Sequence, residues 1–366
     1  MKILQINSVC GIRSTGRIAV DLAREYEMQG HECKIAYGRE NVPEKYQKYA
    51  VRIGSELGVR INGIKARCFD TEGFHAKKAT KVFLKWASEY NPDILWLHNL
   101  HGYYINVEML FKWIKSRESM TVKWLLHDCW AFTGHCAYFT AANCEQWKIY
   151  CSHCIQRYTY PSSLFKDNSR NNYSRKRSAF CGVKNMLIIT PSQWLADLVK
   201  ESFLHEYEVE VKYNKIDKNV FKPTPSDFRK KYGLENRKII LGVASAWSRN
   251  KGLYDFIRLP KMLNDTYAVV LVGLTKKQRK KIPDSVICIP QNNNTNELAK
   301  IYSAADLFLN LTYQDNYPTV NLEAQACGTP CLTYDTGGSV ESVPEENVVR
   351  QGDLEAIVEW IKNAEI

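Results

Sequence analysis

Short apolar runs alternate with longer amphipathic segments along most of the chain. The runs ILWL at 94–97 and AVVLV at 268–272 have the length of buried strands and fall well short of a membrane span. Between such runs, apolar residues recur at the spacing of a helix face. Strands that alternate with helices are typical of parallel βαβ construction, so the pattern predicts an α/β protein with two Rossmann-like domains.

The pattern places predicted strands in both halves of the chain. Those of the first half are expected at 3–7, 33–37, 94–98, 122–127 and 187–190. Those of the second half are expected at 239–244, 268–272, 286–289, 307–311 and 330–333. Between the halves, the polar passage from 205 to 227 is interrupted by prolines and is typical of a hinge.

The domain boundaries follow from these strands. An N-terminal domain is expected at 1–205 and a second domain at 206–349, and the last segment, 350–366, contains one helix with an apolar face. The chain has 366 residues, 45% of them hydrophobic, which is long for a single core and agrees with two domains. Polar residues follow the first strand too soon for a signal peptide, so we expect a cytoplasmic protein.

The charge balance indicates an anionic partner. Lys and Arg exceed Asp and Glu by eleven, and the candidates are a nucleotide diphosphate, an anionic membrane surface and nucleic acid. Basic residues are dense at 166–184, and the part from Arg170 to Arg177 predicts peripheral contact with the inner face of the cell membrane. A second basic run, 276–281, is interpreted as a solvated surface. No nucleic-acid-binding module is recognisable, so a nucleic acid is not an expected partner.

The segment 310–341 carries the main candidate site. Asp315 lies in a turn and Glu323 about two helical turns further on, so both carboxylates can face one cleft. The strand that follows opens into Gly337 and Gly338, where backbone N–H groups can approach a phosphate at the start of the next helix. This combination predicts a nucleotide-sugar site.

At these residues the chain resembles family 4 of the retaining glycosyltransferases, whose signature is a Glu, seven residues, a second Glu and then a Gly-Gly loop. Glu323 matches the second acid, which in the family holds the nucleotide ribose. Asp315 stands where the first acid contacts the donor sugar, with a shorter side chain than the family's Glu. Gly337 and Gly338 match the loop, so the resemblance implies that all four residues bind the donor.

The resemblance extends over nearly the whole chain. In the segment 244–253, Lys251 matches the family's Lys, which neutralises the leaving diphosphate. The family usually has an Arg five residues earlier, where this chain has Ala246, and Arg249 is the expected substitute. His127 matches a position where a family His reaches the donor sugar, and a His with a purely structural role is the alternative.

The resemblance implies the GT-B fold, with two parallel sheets facing across a cleft and a last helix that crosses back to the first domain. It also implies transfer with retained anomeric configuration from a UDP- or GDP-sugar to a glycan or a polyprenyl-diphosphate-linked acceptor. The most similar members are bacterial and build capsule, exopolysaccharide or lipopolysaccharide. A catalytic divalent metal is not expected, because Lys251 and backbone dipoles take its place and the sequence has no Asp-x-Asp motif.

Two first-domain features are weaker candidates for ligand binding. Gly16 follows the first strand, and with Ser14 or Thr15 as helix cap it would admit a diphosphate or an acceptor, although tight packing explains a glycine equally well. Tyr103 follows the predicted strand at 94–98, and the carboxyl ends of such strands bind ligands, so we expect it to contact the acceptor. The sequence has no G-x-G-x-x-G motif, which disfavours a dinucleotide oxidoreductase.

A cysteine-rich insert at 134–160 is the candidate metal site. Its ligand candidates are Cys136, Cys144, Cys151 and Cys154, which end in a C-x2-C half-site typical of tetrahedral structural zinc. Reduced thiols without a metal are the alternative. Two other functional classes also stay open: a GT-B-fold sugar-nucleotide isomerase or phosphorylase and, more remotely, a basic zinc-bearing nucleic-acid-binding protein.

Overall fold

The computed structural model describes residues 1–291 and 294–364 and divides into two compact units, Met1–Tyr213 and Asn214–Ile366. Each unit contains one parallel sheet with helices. The first unit extends beyond the predicted boundary at 205 because the strand Glu208–Val211 pairs with the first sheet. Within the described residues, no helix is both long and apolar enough to span a membrane.

The first unit has a seven-stranded sheet in the order β3-β2-β1-β4-β5-β6-β7, and all neighbouring strands are parallel. The strands are β1 (Lys2–Asn7), β2 (Glu32–Tyr37), β3 (Ala50–Arg52), β4 (Ile94–Leu97), β5 (Thr121–Leu125), β6 (Met186–Thr190) and β7 (Glu208–Val211). The helices are α1 (Arg13–Met28), α2 (Glu56–Phe69), α3 (Lys77–Tyr90), α4 (Val107–Lys115), α5 (Ser169–Phe180) and α6 (Gln193–Glu201).

The central strands of the first sheet are apolar because both of their faces are buried. Successive residues of one strand point to opposite sides, so Leu95 and Leu97 belong to one hydrophobic cluster and Trp96 to the other. In the first of these clusters, the fully buried Trp124 packs against Phe111 and Phe180, with ring centroids 5.3 Å and 5.0 Å away. This packing fixes the strand ends that carry the first unit's polar loops.

The second unit has a six-stranded sheet in the order β10-β9-β8-β11-β12-β13, again with parallel neighbours. The strands are β8 (Lys238–Val243), β9 (Tyr267–Leu274), β10 (Val286–Pro290), β11 (Leu307–Asn310), β12 (Cys331–Tyr334) and β13 (Val348–Val349). The helices are α7 (Phe228–Tyr232), α8 (Leu253–Arg258), α9 (Lys276–Arg279), α10 (Thr295–Ala304), α11 (Thr319–Ala326) and α12 (Leu354–Asn363).

Helix α12 carries the apolar face that the sequence predicts near the end of the chain. Ile357, Val358 and Ile361 are buried in the same cluster as Ile240 and Leu309 of the second sheet. The last segment therefore packs as part of the second unit. A crossing of this helix back to the first domain stays a prediction.

Every strand predicted from the sequence is present in the structure. The three strands that were not predicted, β3, β7 and β13, are short and lie at the edges of the two sheets. Edge strands are exposed on one side, so their sequences lack the continuous apolar run of a central strand.

Candidate active site

The topology of the second sheet defines one place for a ligand. From β8 the chain builds outward through β9 and β10, and it then returns to build the other side from β11. In open α/β sheets, ligands bind outside the carboxyl ends of the two strands where the order reverses. The loops that follow β8 and β11 therefore frame the candidate site of this unit.

Lys251 and Asp315 meet at this position. Lys251 ends the short 3₁₀ turn Arg249–Lys251 after β8, and Asp315 lies in the loop after β11. The Lys251 Nζ lies 2.5 Å from the Asp315 Oδ2, and 38% of the lysine side chain is exposed. The ammonium group is thus positioned by a carboxylate and still reachable by an anionic ligand. The structure brings together two residues that the sequence singled out independently.

The loop after β8 is fixed onto the loop after β11 by backbone contacts. The Asn250 carbonyl accepts hydrogen bonds from the Tyr313 N–H at 2.8 Å and from the Thr312 hydroxyl at 3.2 Å. Gly252 has φ +72°, and a Cβ there would lie 2.2 Å from the Leu311 carbonyl oxygen. Only glycine fits this close approach, so the Lys-Gly pair holds the lysine backbone in one position.

Glu323 lies on α11, in the helix that follows the Asp315 loop. It is buried, and the Tyr302 hydroxyl donates a hydrogen bond to its Oε2 at 3.2 Å. Burial together with the Glu323 carboxylate raises the pKa of Tyr302 well above its ordinary value, so this tyrosine remains a donor. A buried carboxylate in a fixed position is a suitable acceptor for paired hydroxyl groups, such as those of a ribose.

Gly337 and Gly338 follow β12 but begin a 3₁₀ turn, Gly337–Ser342, rather than the α-helix expected from the sequence. Gly337 has φ +51°, in the left-handed region. The turn is held by Ser342, whose hydroxyl donates to the Ser339 carbonyl at 2.6 Å. The tight turn replaces the helix because these side-chain bonds satisfy its backbone locally. The glycines still lie at the strand end, as predicted.

A chain of hydrogen bonds between buried polar side chains connects β11, α11 and the glycine turn. The Asn310 Nδ2 at the end of β11 donates to the Asn321 Oδ1 at 2.8 Å, and the Asn321 Nδ2 donates to the Ser342 Oγ at 2.8 Å. Asn310, Asn321 and Ser342 are all buried. Satisfied buried networks of this kind rigidify their surroundings, so β11, α11 and the glycine turn form one frame.

Two buried residues near this frame were missed by the sequence reasoning. Asp255 on α8 accepts hydrogen bonds from the hydroxyls of Tyr313 and Tyr334 at 2.8 Å and 3.2 Å. Trp247 is buried and donates its Nε1–H to the Val272 carbonyl at 2.8 Å. Neither role has a local sequence signal, because each partner is distant along the chain. Arg249, by contrast, lies in the same turn as Lys251 and is exposed, as a diphosphate ligand requires.

In the first sheet the strand order reverses between β1 and β4. There the His98 Nε2 lies 2.9 Å from the Gln5 Oε1, and the His98 Nδ1 lies 3.3 Å from the His127 Nε2. The two imidazole rings stack with centroids 5.5 Å apart. Burial lowers the pKa of His127 to about 4, so the predicted His127 is neutral at neutral pH and held in a histidine pair.

A second polar pair at the same strand ends was not predicted. The His101 Nε2 lies 2.8 Å from the Asp128 Oδ2, and its Nδ1 lies 3.0 Å from the Tyr160 hydroxyl. Burial by itself lowers the pKa of His101, but the carboxylates of Asp128 and Glu72 outweigh it and raise the pKa above its usual value. Glu72 is itself buried: one oxygen accepts from the Gly102 N–H at 2.5 Å, and the other has no partner among the described residues.

Gly16 and Tyr103 are placed differently from their predictions. Helix α1 begins before Gly16 and is preceded by Ile12, which cannot cap it, so the expected Ser or Thr cap is wrong. A Cβ on Gly16 would lie 3.1 Å from the Gly11 nitrogen, which supports the packing explanation for this glycine. The Tyr103 ring packs close to Gly63 of α2, and burial raises the pKa of Tyr103 to about 12. Ligand contacts of both residues stay predictions.

The cysteine-rich insert packs around an aromatic core. Trp147 stacks on Phe139 with centroids 4.7 Å apart, and the Cys136 and Cys154 side chains are hydrogen-bonded to each other. The Cys151 sulfur accepts from the Gly134 N–H at 3.1 Å. Within 1–291 and 294–364, no group of three or more His, Cys, Asp and Glu is placed to hold a metal ion. As arranged, the four thiols do not form a tetrahedral ligand set, and zinc stays a prediction.

The basic stretch from Arg170 to Arg177 is less available than the sequence suggested. Arg175 makes a two-pronged ion pair with Glu108, both bonds 2.7 Å long. Lys176 is buried, and its Nζ donates to backbone carbonyls in the loop after β5. Two of the four cations of this stretch therefore serve the fold, and Arg170 and Arg177 remain exposed.

The chain therefore consists of two Rossmann-like α/β units with the GT-B fold, and the second unit has a partly exposed ion pair where its strand order reverses. Residues 226–365, which lie within the second unit, match the family described as glycosyl transferases, group 1.

Two relatives illustrate the sequence similarity. The chain is 26% identical over 211 residues to a putative colanic acid biosynthesis glycosyl transferase, WcaC, of Escherichia coli K12. The aligned region covers 54% of this chain and 50% of WcaC. It is 28% identical over 202 residues to the N-acetyl-alpha-D-glucosaminyl L-malate synthase of Bacillus anthracis, covering 52% and 49% of the two chains. The chain spans about half the length of these curated relatives.

Solved structures share the fold at low identity. The sucrose-phosphate synthase of Thermosynechococcus elongatus superposes with a TM-score of 0.70 at 14% identity, over 99% of this chain and 89% of that chain. Anabaena Alr3699/HepE, solved in complex with UDP-glucose, superposes with a TM-score of 0.65 at 16% identity, over 99% and 89%. At such identities the similarity establishes the fold alone.

Proposed function

We propose that the protein is a retaining glycosyltransferase that moves a sugar from a nucleotide-sugar to a glycan or lipid-linked acceptor in bacterial cell-surface polysaccharide synthesis. The observation that carries the proposal is the Lys251–Asp315 ion pair at the strand reversal of a group 1 glycosyltransferase domain. The relatives named for colanic acid and capsular polysaccharide synthesis support the choice of pathway class. The HepE complex with UDP-glucose supports a UDP-sugar as donor.

Each side chain of the second unit's site has a role in this reaction. The diphosphate competes with Asp315 for the Lys251 ammonium group, and Arg249 adds a second cation from the same turn. The Gly337 and Gly338 N–H groups approach the phosphates, and Glu323 accepts hydrogen bonds from the ribose. Asp315 is then free to hold the donor sugar.

The chemical step is a displacement at the anomeric carbon. The acceptor oxygen forms a bond to that carbon while the bond to the phosphate oxygen breaks, and the electron pair leaves with the nucleoside diphosphate. The acceptor's proton passes to an oxygen of the departing phosphate, so no side-chain base is required. Lys251 stabilises the charge that develops on the leaving group, which is where a preorganised cation lowers the barrier most.

A thermal-shift panel of UDP, GDP and ADP tests the donor site first, because a ligand that binds only the folded state raises the apparent stability. We expect one nucleotide to raise the melting temperature of the wild type and to do so much less in Lys251→Ala. The matching nucleotide-sugars are then incubated with and without oligosaccharide acceptors. A chain that binds no nucleotide, or that converts a nucleotide-sugar without any acceptor, would overturn the transferase proposal.

A further inference from the structure

Helix α2 is apolar on two opposite sides. Its inner side contributes the buried Gly63 and Ala66. On its outer side, Leu57, Ile61 and Ile64 follow one another at intervals of four and three residues, which places them on one face. Leu57 is 68% exposed and Ile64 is 64% exposed. A surface helix normally has polar residues on its solvent-facing side. The apolar outer face of α2 therefore has no packing partner among the described residues.

Further exposed apolar side chains lie at the C-terminal end of the helix. The segment 163–166 is fixed there, because the Leu164 N–H donates to the Arg67 carbonyl at 2.7 Å. Leu164 is 55% exposed and Phe165 is 73% exposed. Phe69 at the end of α2 is also exposed, and the Lys166 Nζ lies 5.4 Å from the centre of its ring. Six exposed apolar side chains thus lie along α2 and at its C-terminal end, and they are called here the α2 surface: Leu57, Ile61, Ile64, Phe69, Leu164 and Phe165.

The charges around the α2 surface are predominantly positive. Lys65 and Lys166 are exposed beside it. The only acidic residue of α2, Glu56, is occupied by Arg60, whose guanidinium lies 2.5 Å from it. Next to Lys166, the Asp167 carboxylate accepts hydrogen bonds from the backbone N–H groups of Cys154 and Ser169. Apolar side chains framed by cations match a lipid surface with anionic head groups, where the chains enter the acyl boundary and the cations meet the phosphates.

We propose that the α2 surface docks the protein onto an anionic lipid bilayer. The surface differs from the stretch around Arg170 that charge alone suggested, because half of that stretch is committed inside the fold. A self-association interface would not need the flanking lysines, whose mutual repulsion across a two-fold axis opposes pairing. The proposal is independent of the transferase activity, since it concerns binding to lipid and needs no substrate.

Co-flotation of the full chain with phosphatidylglycerol–phosphatidylcholine vesicles tests the proposal. We expect the wild type to float with the anionic vesicles and the double variant Ile61→Ser, Ile64→Ser to bind at least tenfold more weakly. Both positions are exposed, so the fold should be retained, and a thermal melt checks this. The matched control is Val82→Ser on α3, which removes an equally aliphatic side chain that is 73% exposed elsewhere in the same unit.

The charge variants distinguish the two candidate surfaces. Lys65→Glu with Lys166→Glu should weaken binding to anionic vesicles several-fold, whereas Arg170→Glu with Arg177→Glu should change it less than twofold. High salt should weaken binding only in part, because the apolar contact is not screened. Equal binding to pure phosphatidylcholine, or loss of binding only in the Arg170 and Arg177 variant, would overturn the proposal. So would sedimentation showing a dimer that the Ile61 and Ile64 variant dissociates, without any flotation of the wild type.

Discussion

The polar sites at the two strand reversals are built in opposite ways. In the second unit, the ion pair between Lys251 and Asp315 stays within reach of solvent, and loop backbone fixes it. In the first unit, His98 and His101 are buried and bonded to other buried or half-buried side chains. The exposed pair is suited to exchanging partners with a charged ligand. The buried pairs are suited to holding the loops of the first unit in one shape.

The strongest test of this difference is Lys251→Ala. If Lys251 stabilises the leaving diphosphate, kcat should fall by about 10²-fold or more, which is typical when one preorganised charge stabiliser is lost. The matched control is Lys261→Ala, which removes an exposed lysine of the same unit. Steady-state kinetics with the donor found in the thermal-shift panel measures both. Near-wild-type turnover of Lys251→Ala would show that Lys251 does not stabilise the leaving diphosphate.

Glu323→Gln tests whether Glu323 binds the nucleotide in the second unit. The amide keeps the shape but loses the ionic acceptor, so nucleotide affinity should fall by about tenfold, the effect of one hydrogen bond to a charged group. Asp315→Asn is the comparison, and it should lower turnover more than nucleotide affinity because Asp315 is assigned to the sugar. Calorimetric titration and kinetics separate the two effects. An unchanged nucleotide affinity in Glu323→Gln would show that Glu323 has only a structural role.

The lowered pKa of His127 predicts that this residue makes the stability of the first unit depend on acid. The folded pKa of His127 lies near 4, below the ordinary value of 6.5, so between these pH values the unfolded chain binds more protons. Stability should therefore fall as pH drops through this window, by on the order of 1 kcal/mol once partial exposure is discounted.

Thermal melts from pH 7 to pH 4 measure this slope. His127→Asn should lower the overall stability but flatten its acid dependence, because the titrating group is gone. The exposed His153 supplies the control, and His153→Gln should leave the slope as it is. An unchanged slope in His127→Asn would contradict a neutral His127 in the folded protein.

The smallest expected effect concerns the cysteine-rich insert. The C-x2-C half-site leads us to expect about one zinc per chain, and Cys154→Ser should lose it and melt at a lower temperature. Elemental analysis of protein purified without chelators decides the question. Zinc-free protein with an unchanged melting temperature would identify these cysteines as reduced thiols, in agreement with their present arrangement.

The pattern of apolar residues was sufficient to predict the central strands, because a strand buried on both faces must be apolar along its length. The edge strand β7, with the sequence EVEV, alternates exposed and half-buried residues and gave too short a signal. Lys251 and Asp315 were found because each matches a motif of its own, although they lie 64 residues apart. The pair His101 and Asp128 was missed, since its members belong to no such motif.

The same reasoning explains the errors at single residues. Ser14 and Thr15 are residue types that often cap helices, but α1 starts earlier, at Arg13. Its first turn packs against the preceding loop through Gly16. Lys176 was counted as a surface cation, yet its ammonium group is buried and bonded to backbone carbonyls. In both cases tertiary packing, which a local pattern does not contain, decided the outcome.

The buried hydrogen-bond chain from Asn310 through Asn321 to Ser342 has a consequence for how the proposed donor site can change. It fastens a strand, a helix and a turn so that none can shift without breaking the others. In the proposed transferase, we therefore expect changes of sugar preference in the loop side chains around this frame, while the three connected elements stay constant. A designer who wants a new donor should randomise those loops and leave the amides untouched.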